Sequence, residues 1–124
     1  MKCILIVDDS KEVREIVTFV LQCHGFEVLE AAGGVQLQDL LASRREKLPD
    51  LIILDVMMPG EDGFHICSKL RMDAPTKHIP VMIITAHTED IYQRISLDLG
   101  VASHMTKPFH PLELAERVKH LLDE

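Results

Sequence analysis

Three short runs of uninterrupted apolar residues stand out along the chain: Cys3 to Val7, Leu51 to Leu54 and Val81 to Ile84. Runs of this length, rich in Ile, Val and Leu, fit β-strands covered on both faces. Two further candidate strands are diluted by polar residues. Phe26 to Ala31 carries Glu27 and Glu30, and Val101 to Thr106 carries Ser103 and His104. Between these segments the apolar positions take helical spacing. Val13, Ile16, Val17, Val20 and Leu21 recur at i, i+3, i+4, i+7 and i+8 behind Ser10, a good N-cap, and Gly25 supplies a stop. Leu37, Leu40 and Leu41 mark a second helix, which fades into the charged stretch from Arg44 to Lys47 and is broken by Pro49. Ile66, Cys67 and Leu70 mark a third, beyond a turn running from Pro59 to Gly63. Ile91, Ile95 and Leu99 mark a fourth, with Thr88 as its cap and Gly100 as its stop. Leu114, Ala115, Val118, Leu121 and Leu122 mark a fifth, with Pro111 suited to its first turn.

Five strands alternating with five helices predict an α/β fold, a doubly wound parallel sheet with right-handed crossovers and helices on both faces. The polar dilution of the second and fifth strands places them at the edges, and the order 2-1-3-4-5 satisfies that. This order reverses direction between strands one and three. Ligands in such sheets bind beside the switch point, at the C-terminal ends of the strands.

The residues at those ends are polar. Strand one ends in Asp8 and Asp9, strand three in Asp55, strand four in Thr85 and Ala86, and strand five in Lys107 and Pro108. Packing gives no reason for several buried strands to end at one edge in carboxylates, a hydroxyl and an ammonium. Crowded carboxylates raise one another's pKa unless a cation neutralises them. Oxygen-only ligands with little enclosure suit Mg²⁺, or Mn²⁺, which tolerates one or two carboxylates together with a phosphoryl oxygen. Asp55 is then a carboxylate nucleophile able to form an acyl phosphate. The metal and Lys107 would neutralise charge on the transferring group, and Thr85 would hydrogen-bond a phosphoryl oxygen.

Composition narrows the partners. The 124 residues suit one compact domain, and a hydrophobic fraction of 47% supports a real core. With 13 basic and 20 acidic residues the formal net charge is −7, which argues against direct binding of nucleic acid. Cys3, Cys23 and Cys67 lack CxxC spacing and read as reduced thiols, the latter two as small apolar fillers together with Met82. No signal peptide or membrane-spanning run is apparent, so a soluble cytoplasmic protein is expected.

The segments ILIVDDS, LIILDVMMPGEDGF, VMIITA and TKPF resemble the receiver domains of two-component response regulators, chemotaxis regulators among them, over nearly the whole chain. The resemblance implies a flavodoxin-like, CheY-like (βα)5 fold and a single response regulatory domain over residues 1–124. It makes Asp8 and Asp9 the acidic metal-binding pair, Asp55 the phosphorylation site, and the Met57 backbone carbonyl a further metal ligand. Thr85 becomes the switch hydroxyl and Lys107 the phosphoryl contact, with a cis Lys107–Pro108 bond. The implied function is a phosphorelay receiver, not an enzyme in its own right, although Mg²⁺-dependent self-phosphorylation and autodephosphorylation are expected. A sensor histidine kinase or histidine phosphotransfer protein would donate. The face of helix four, strand five and helix five would then dock a partner or a second copy of the chain.

One position departs from the family. Receivers usually carry Tyr or Phe three residues before the conserved Lys, and here that residue is His104. Either it alters the switch and makes it pH-sensitive, or it is a satisfied side chain on an edge strand. His87, two residues after Thr85, either orients water near the phosphoryl group or faces solvent. His24, His65, His78, His110 and His120 read as surface residues without metal-ligand spacing. Glu89 and Asp90 fit a helix dipole. A phosphatase with an aspartyl-phosphate intermediate, of the haloacid-dehalogenase kind, would need a second Asp where Met57 stands. A degenerate receiver would lack site residues that are all present. A flavodoxin-like cofactor binder is disfavoured by the acidic pair, and no GxGxxG follows strand one. No output domain follows the fifth helix, which fits a stand-alone receiver or a piece of a longer regulator.

Overall fold

The computed structural model describes residues 1–58, 60–86 and 90–123. Strands β1 (Cys3–Val7), β2 (Glu27–Ala31), β3 (Leu51–Asp55), β4 (Val81–Thr85) and β5 (Ser103–Thr106) form one parallel sheet in the order β2-β1-β3-β4-β5. They alternate with helices α1 (Lys11–Cys23), α2 (Gly34–Ser43), α3 (Gly63–Met72), α4 (Asp90–Asp98) and α5 (Pro111–Leu121). The three uninterrupted apolar runs are the inner strands, buried at every position, and the two diluted runs are the edges.

Side chains alternate across the sheet and divide the core in two. Leu5, Val7, Ile52, Leu54 and Ile83 pack towards α2, α3 and α4, whereas Ile4, Ile6, Ile53, Met82 and Ile84 pack towards α1 and α5. Helix α1 starts where expected: the Ser10 hydroxyl accepts from the Val13 N–H at 3.3 Å. Gly25 follows the helix at φ +89°, a conformation that side chains with a Cβ rarely adopt. Pro111 opens α5, and the exposed His110 caps it, its Nδ1 accepting from the Leu112 N–H at 3.2 Å. His65, His78 and His120 are exposed too, and the half-buried His24 pairs Nδ1 with the Val20 carbonyl at 2.8 Å.

Three expectations need correction. The core stripe of α1 is narrower than its spacing suggests: Val17 and Leu21 are buried, but Ile16 is 48% exposed. Cys23 is exposed, not a core filler, because it follows Leu21 by two residues and so points away from the sheet; Cys67 and Met82 are buried. The turn before α3 contains a small antiparallel ladder between Met57–Met58 and Glu61–Asp62. Asp62 then caps α3 by accepting from the Phe64 N–H at 2.9 Å. Pro59, His87, Thr88 and Glu89 lie outside the described residues. Among the described residues, no helix is long and apolar enough to cross a membrane.

Candidate functional site

The ends of β1, β3, β4 and β5 meet at one edge of the sheet. Asp8 directly follows β1 and is fully buried; its N–H bonds the Ala31 carbonyl of β2 at 3.1 Å, which ties its backbone down. One carboxylate oxygen accepts from the Ser10 N–H at 2.9 Å, and the other from Lys107 Nζ at 2.8 Å. Asp55 ends β3 at 3% exposure. Its Oδ1 accepts from the Met57 N–H at 3.2 Å, and its Oδ2 lies 3.3 Å from Lys107 Nζ. Asp9 is exposed, and oxygens of Asp8, Asp9 and Asp55 all lie within 4.8 Å of one another.

The remaining two predicted residues arrive together. Thr85 ends β4, fully buried, in register with Thr106 of β5. The Lys107 N–H bonds the Thr85 carbonyl at 2.7 Å, so the turn into the cis Lys107–Pro108 bond is fixed to the neighbouring strand. Of the residues named from sequence, Asp8, Asp9, Asp55, Thr85 and Lys107 thus share one edge. Met57 adjoins them with its side chain half exposed.

Electrostatics at this edge are opposed. Burial and then the Asp8 charge push the Asp55 carboxyl above the usual carboxylate range, while Lys107 and the Met57 N–H pull the other way. Burial alone would lower Lys107, but its hydrogen bond and ion pair with Asp8, together with Asp55, hold the ammonium above its ordinary value. A second cation near three carboxylates would relieve the strain that one ammonium leaves. The donor set is all oxygen, two buried and one exposed, which fits a hard divalent ion with retained waters.

Two supporting residues escaped the sequence reading. Arg14 reaches back from α1, donating to the Asp8 carbonyl at 2.7 Å and pairing with Glu30 at 3.3 Å. Its place one turn after Ser10 was the only available signal. Gly63 sits against β3: a Cβ there would lie 2.6 Å from the Val56 Cα and press on the Asp55 carbonyl oxygen. The glycine lets α3 start directly beside the Asp55 backbone. His104 lies one step back on β5, half-buried, with Nε2 shielded and unpaired among the described residues. The expectation of a satisfied edge-strand side chain therefore fails at that nitrogen.

Residues 4–119 match the family described as the response regulator receiver domain. The chain belongs to that family. This receiver is 39% identical over 121 residues to the phosphate regulon transcriptional regulatory protein PhoB of Pseudomonas aeruginosa, covering 98% of the chain and 52% of that protein. It therefore spans about half the length of the curated relatives it matches. The chemotaxis protein CheY4 of Vibrio cholerae superposes with a TM-score of 0.85 at 32% identity, over 97% of this chain and 98% of that one. The Mn²⁺-bound form of response regulator Rcp1 superposes with a TM-score of 0.81 at 27% identity, over 98% and 91%. The receiver is thus a phosphorelay signalling module of the two-component kind, and its acidic cluster is of the type that forms the receiver metal site.

Proposed function

We propose that this receiver accepts a phosphoryl group on Asp55 from a histidine kinase or a histidine phosphotransfer protein. The observation that carries the reading is the placement of the Asp55 carboxylate. It is nearly buried at the switch point, within 4.8 Å of two further carboxylate groups and 3.3 Å from an ammonium. A carboxylate so placed has nothing to gain from packing and much to gain from a bound cation and a phosphoryl group. In the transfer, an Asp55 oxygen forms a bond to phosphorus as the donor's P–N bond breaks. The imidazole leaves with the electron pair and takes up a proton from solvent.

Asp8, Asp9, Asp55 and the Met57 carbonyl would hold Mg²⁺ or Mn²⁺, which when bound supplies charge neutralisation for the phosphoryl oxygens. The Mn²⁺-bound Rcp1 relative supports this assignment. Lys107 would hold its positive charge near the same oxygens, and the Thr85 hydroxyl, from the neighbouring strand end, would bond one of them. Metal-dependent self-phosphorylation from small donors and autodephosphorylation would follow from the same chemistry. Phosphorylation would then shift the population of the α4–β5–α5 face, where partners dock. The relatives named as transcriptional regulators, one of them as DNA-binding, favour a second reading of the output, in which the receiver controls DNA binding carried by another domain or partner. The net charge of −7 argues against DNA contact by the receiver itself.

Incubation with acetyl phosphate, with and without Mg²⁺, followed by intact-mass measurement tests the reading. Wild type should gain one phosphoryl group only with the metal, and Asp55→Asn should gain none. An undiminished gain in Asp55→Asn would refute the assignment.

A further inference from the structure

His104 pairs in register with Ile83 of β4, and so lies on the face of the sheet covered by α4. Its neighbour Met105 lies on the other face, in the core beneath α1 and α5. The Nε2 atom of His104 is shielded from solvent with no hydrogen-bond partner among the described residues. Burying a polar nitrogen unpaired is unfavourable, so this ring position is not one that hydrogen bonding has selected. Beside the ring a cleft of about 420 Å³ opens, lined by Gln93, Ser96 and Leu97 of α4 and by Ser103, His104 and Thr106 of β5. The alternative to the buried position is therefore present in the same structure, and its walls carry hydroxyl and amide groups.

The charges around the ring set the direction of any switch. From α5, Arg117 donates to the His104 carbonyl at 2.8 Å and to the Ser103 hydroxyl at 3.3 Å, and Glu113 pairs with the same guanidinium at 3.5 Å. Apart from His104 itself, the residues of α4 and β5 that line the cleft are uncharged, and β4 sets the uncharged Ile83 and Thr85 in register with His104 and Thr106. Among the described residues no carboxylate is placed to hold an imidazolium there. Burial, and then the Arg117 charge, keep the imidazole below its ordinary range, so the ring is neutral where it stands. A second proton on the ring would make it an ion whose Nε2–H donor is unpaired, beside a guanidinium.

We propose that His104 is an acid-operated latch between α4 and β5, its Nε2 edge turned inward when neutral and displaced into the cleft beside α4 when protonated. In the cleft, water and the groups of Gln93, Ser96 and Thr106 can solvate the ring. The displacement changes the surface presented by α4 and β5. Its consequence for signalling rests on the reading of that face as the output surface; the latch itself does not. Because the folded-state affinity for the proton is depressed, the buried arrangement holds at neutral pH and is lost as pH falls through the folded value.

An NMR titration of the chain in the Asp55→Asn background tests the latch. That background removes the titration of Asp55 and needs no phosphoryl transfer, so failure of the latch is separate from failure of Asp55 as acceptor. The His104 ring signals and the amides of Ser96, Leu97, Ser103 and Thr106 should shift together, with one midpoint below the ordinary imidazole value. His104→Phe and His104→Gln, neither of which titrates, should both abolish the shared transition. Amides that stay fixed while the ring titrates, or a transition that survives either substitution, would overturn the latch.

Discussion

Asp55 is held in a position that costs the metal-free protein stability. Burial and the neighbouring Asp8 raise its carboxyl above the value of 3.8 for a free aspartate. The folded chain therefore keeps the Asp55 proton to higher pH than the unfolded chain does. In the window between the ordinary carboxylate value and the raised folded one, stability falls as pH rises, and the penalty is fully present above the folded value. Lys107 behaves in the opposite sense. Its raised folded value means that its contribution is present at neutral pH and lost only in strong alkali. Replacing Asp55 by Asn removes the unfavourable ionisation and keeps the side chain's shape. We expect Asp55→Asn, in EDTA at neutral pH, to gain on the order of 1 kcal/mol, a rise in Tm of about 3–6 °C. The gain should shrink as pH is lowered and Asp55 becomes protonated in wild type. Thermal melts of both proteins across that pH range measure it; a variant that is less stable than wild type at neutral pH would contradict the account. Stored repulsion of this kind is the residue-scale sign of a site shaped for an incoming cation and phosphoryl group.

Between elements, single long side chains fasten joints that hydrophobic packing leaves loose. Arg71, in the last turn of α3, fans its guanidinium across two connections. It donates to the Ile79 carbonyl at 2.8 Å and Lys77 at 3.4 Å before β4, and to Leu99 at 3.3 Å and Gly100 at 3.2 Å after α4. The planar fork matters here, because an ammonium cannot reach four carbonyls in that geometry. Arg71→Ala should cost about 1–3 kcal/mol, and Arg71→Lys should recover little of it. Urea unfolding of the two variants decides this, and full recovery by Lys would show that the charge alone suffices. Arg71 also marks the limit of what the chain reveals before it folds. The inner strands were legible as uninterrupted runs of Ile, Val and Leu, and the edges as runs broken by Glu or by Ser and His. Ser10 and Pro111 announced two helix starts, since caps act within one turn. Arg71, Arg14 and Asp50, which accepts the Cys3 N–H at 2.8 Å, act across folded distance, and no local pattern carries that information. The site was legible for a related reason: its residues fall at strand ends, so topology alone brought Asp8, Asp9, Asp55, Thr85 and Lys107 together. Gly63 was read only as part of a turn, because its close approach to the Asp55 backbone is a property of the assembled fold.

For the whole molecule, a net charge of −7 and three carboxylate groups at one sheet edge set a common requirement for counter-charge. Lys107 satisfies part of it by binding Asp8 and Asp55, and leaves Asp9 exposed at the rim. A cation that binds the folded chain and not the unfolded one stabilises it by mass action, by about 2.7 kcal/mol at a hundredfold excess over Kd. General screening of the acidic surface stabilises as well, but it depends on ionic strength and not on the identity of the ion. The two effects separate cleanly at Asp9. Because that carboxylate is exposed and pairs with no ammonium among the described residues, Asp9→Asn should leave the melting temperature in EDTA nearly unchanged. It should nonetheless weaken the rise produced by Mg²⁺ at least severalfold in apparent affinity, while the response to a monovalent salt of matched ionic strength stays the same. Melts of wild type and Asp9→Asn in EDTA, Mg²⁺ and matched monovalent salt measure all three quantities. Equal rises in Mg²⁺ and in monovalent salt for wild type would mean that the acidic edge is only screened, and the cluster would lose its claim to be a metal site.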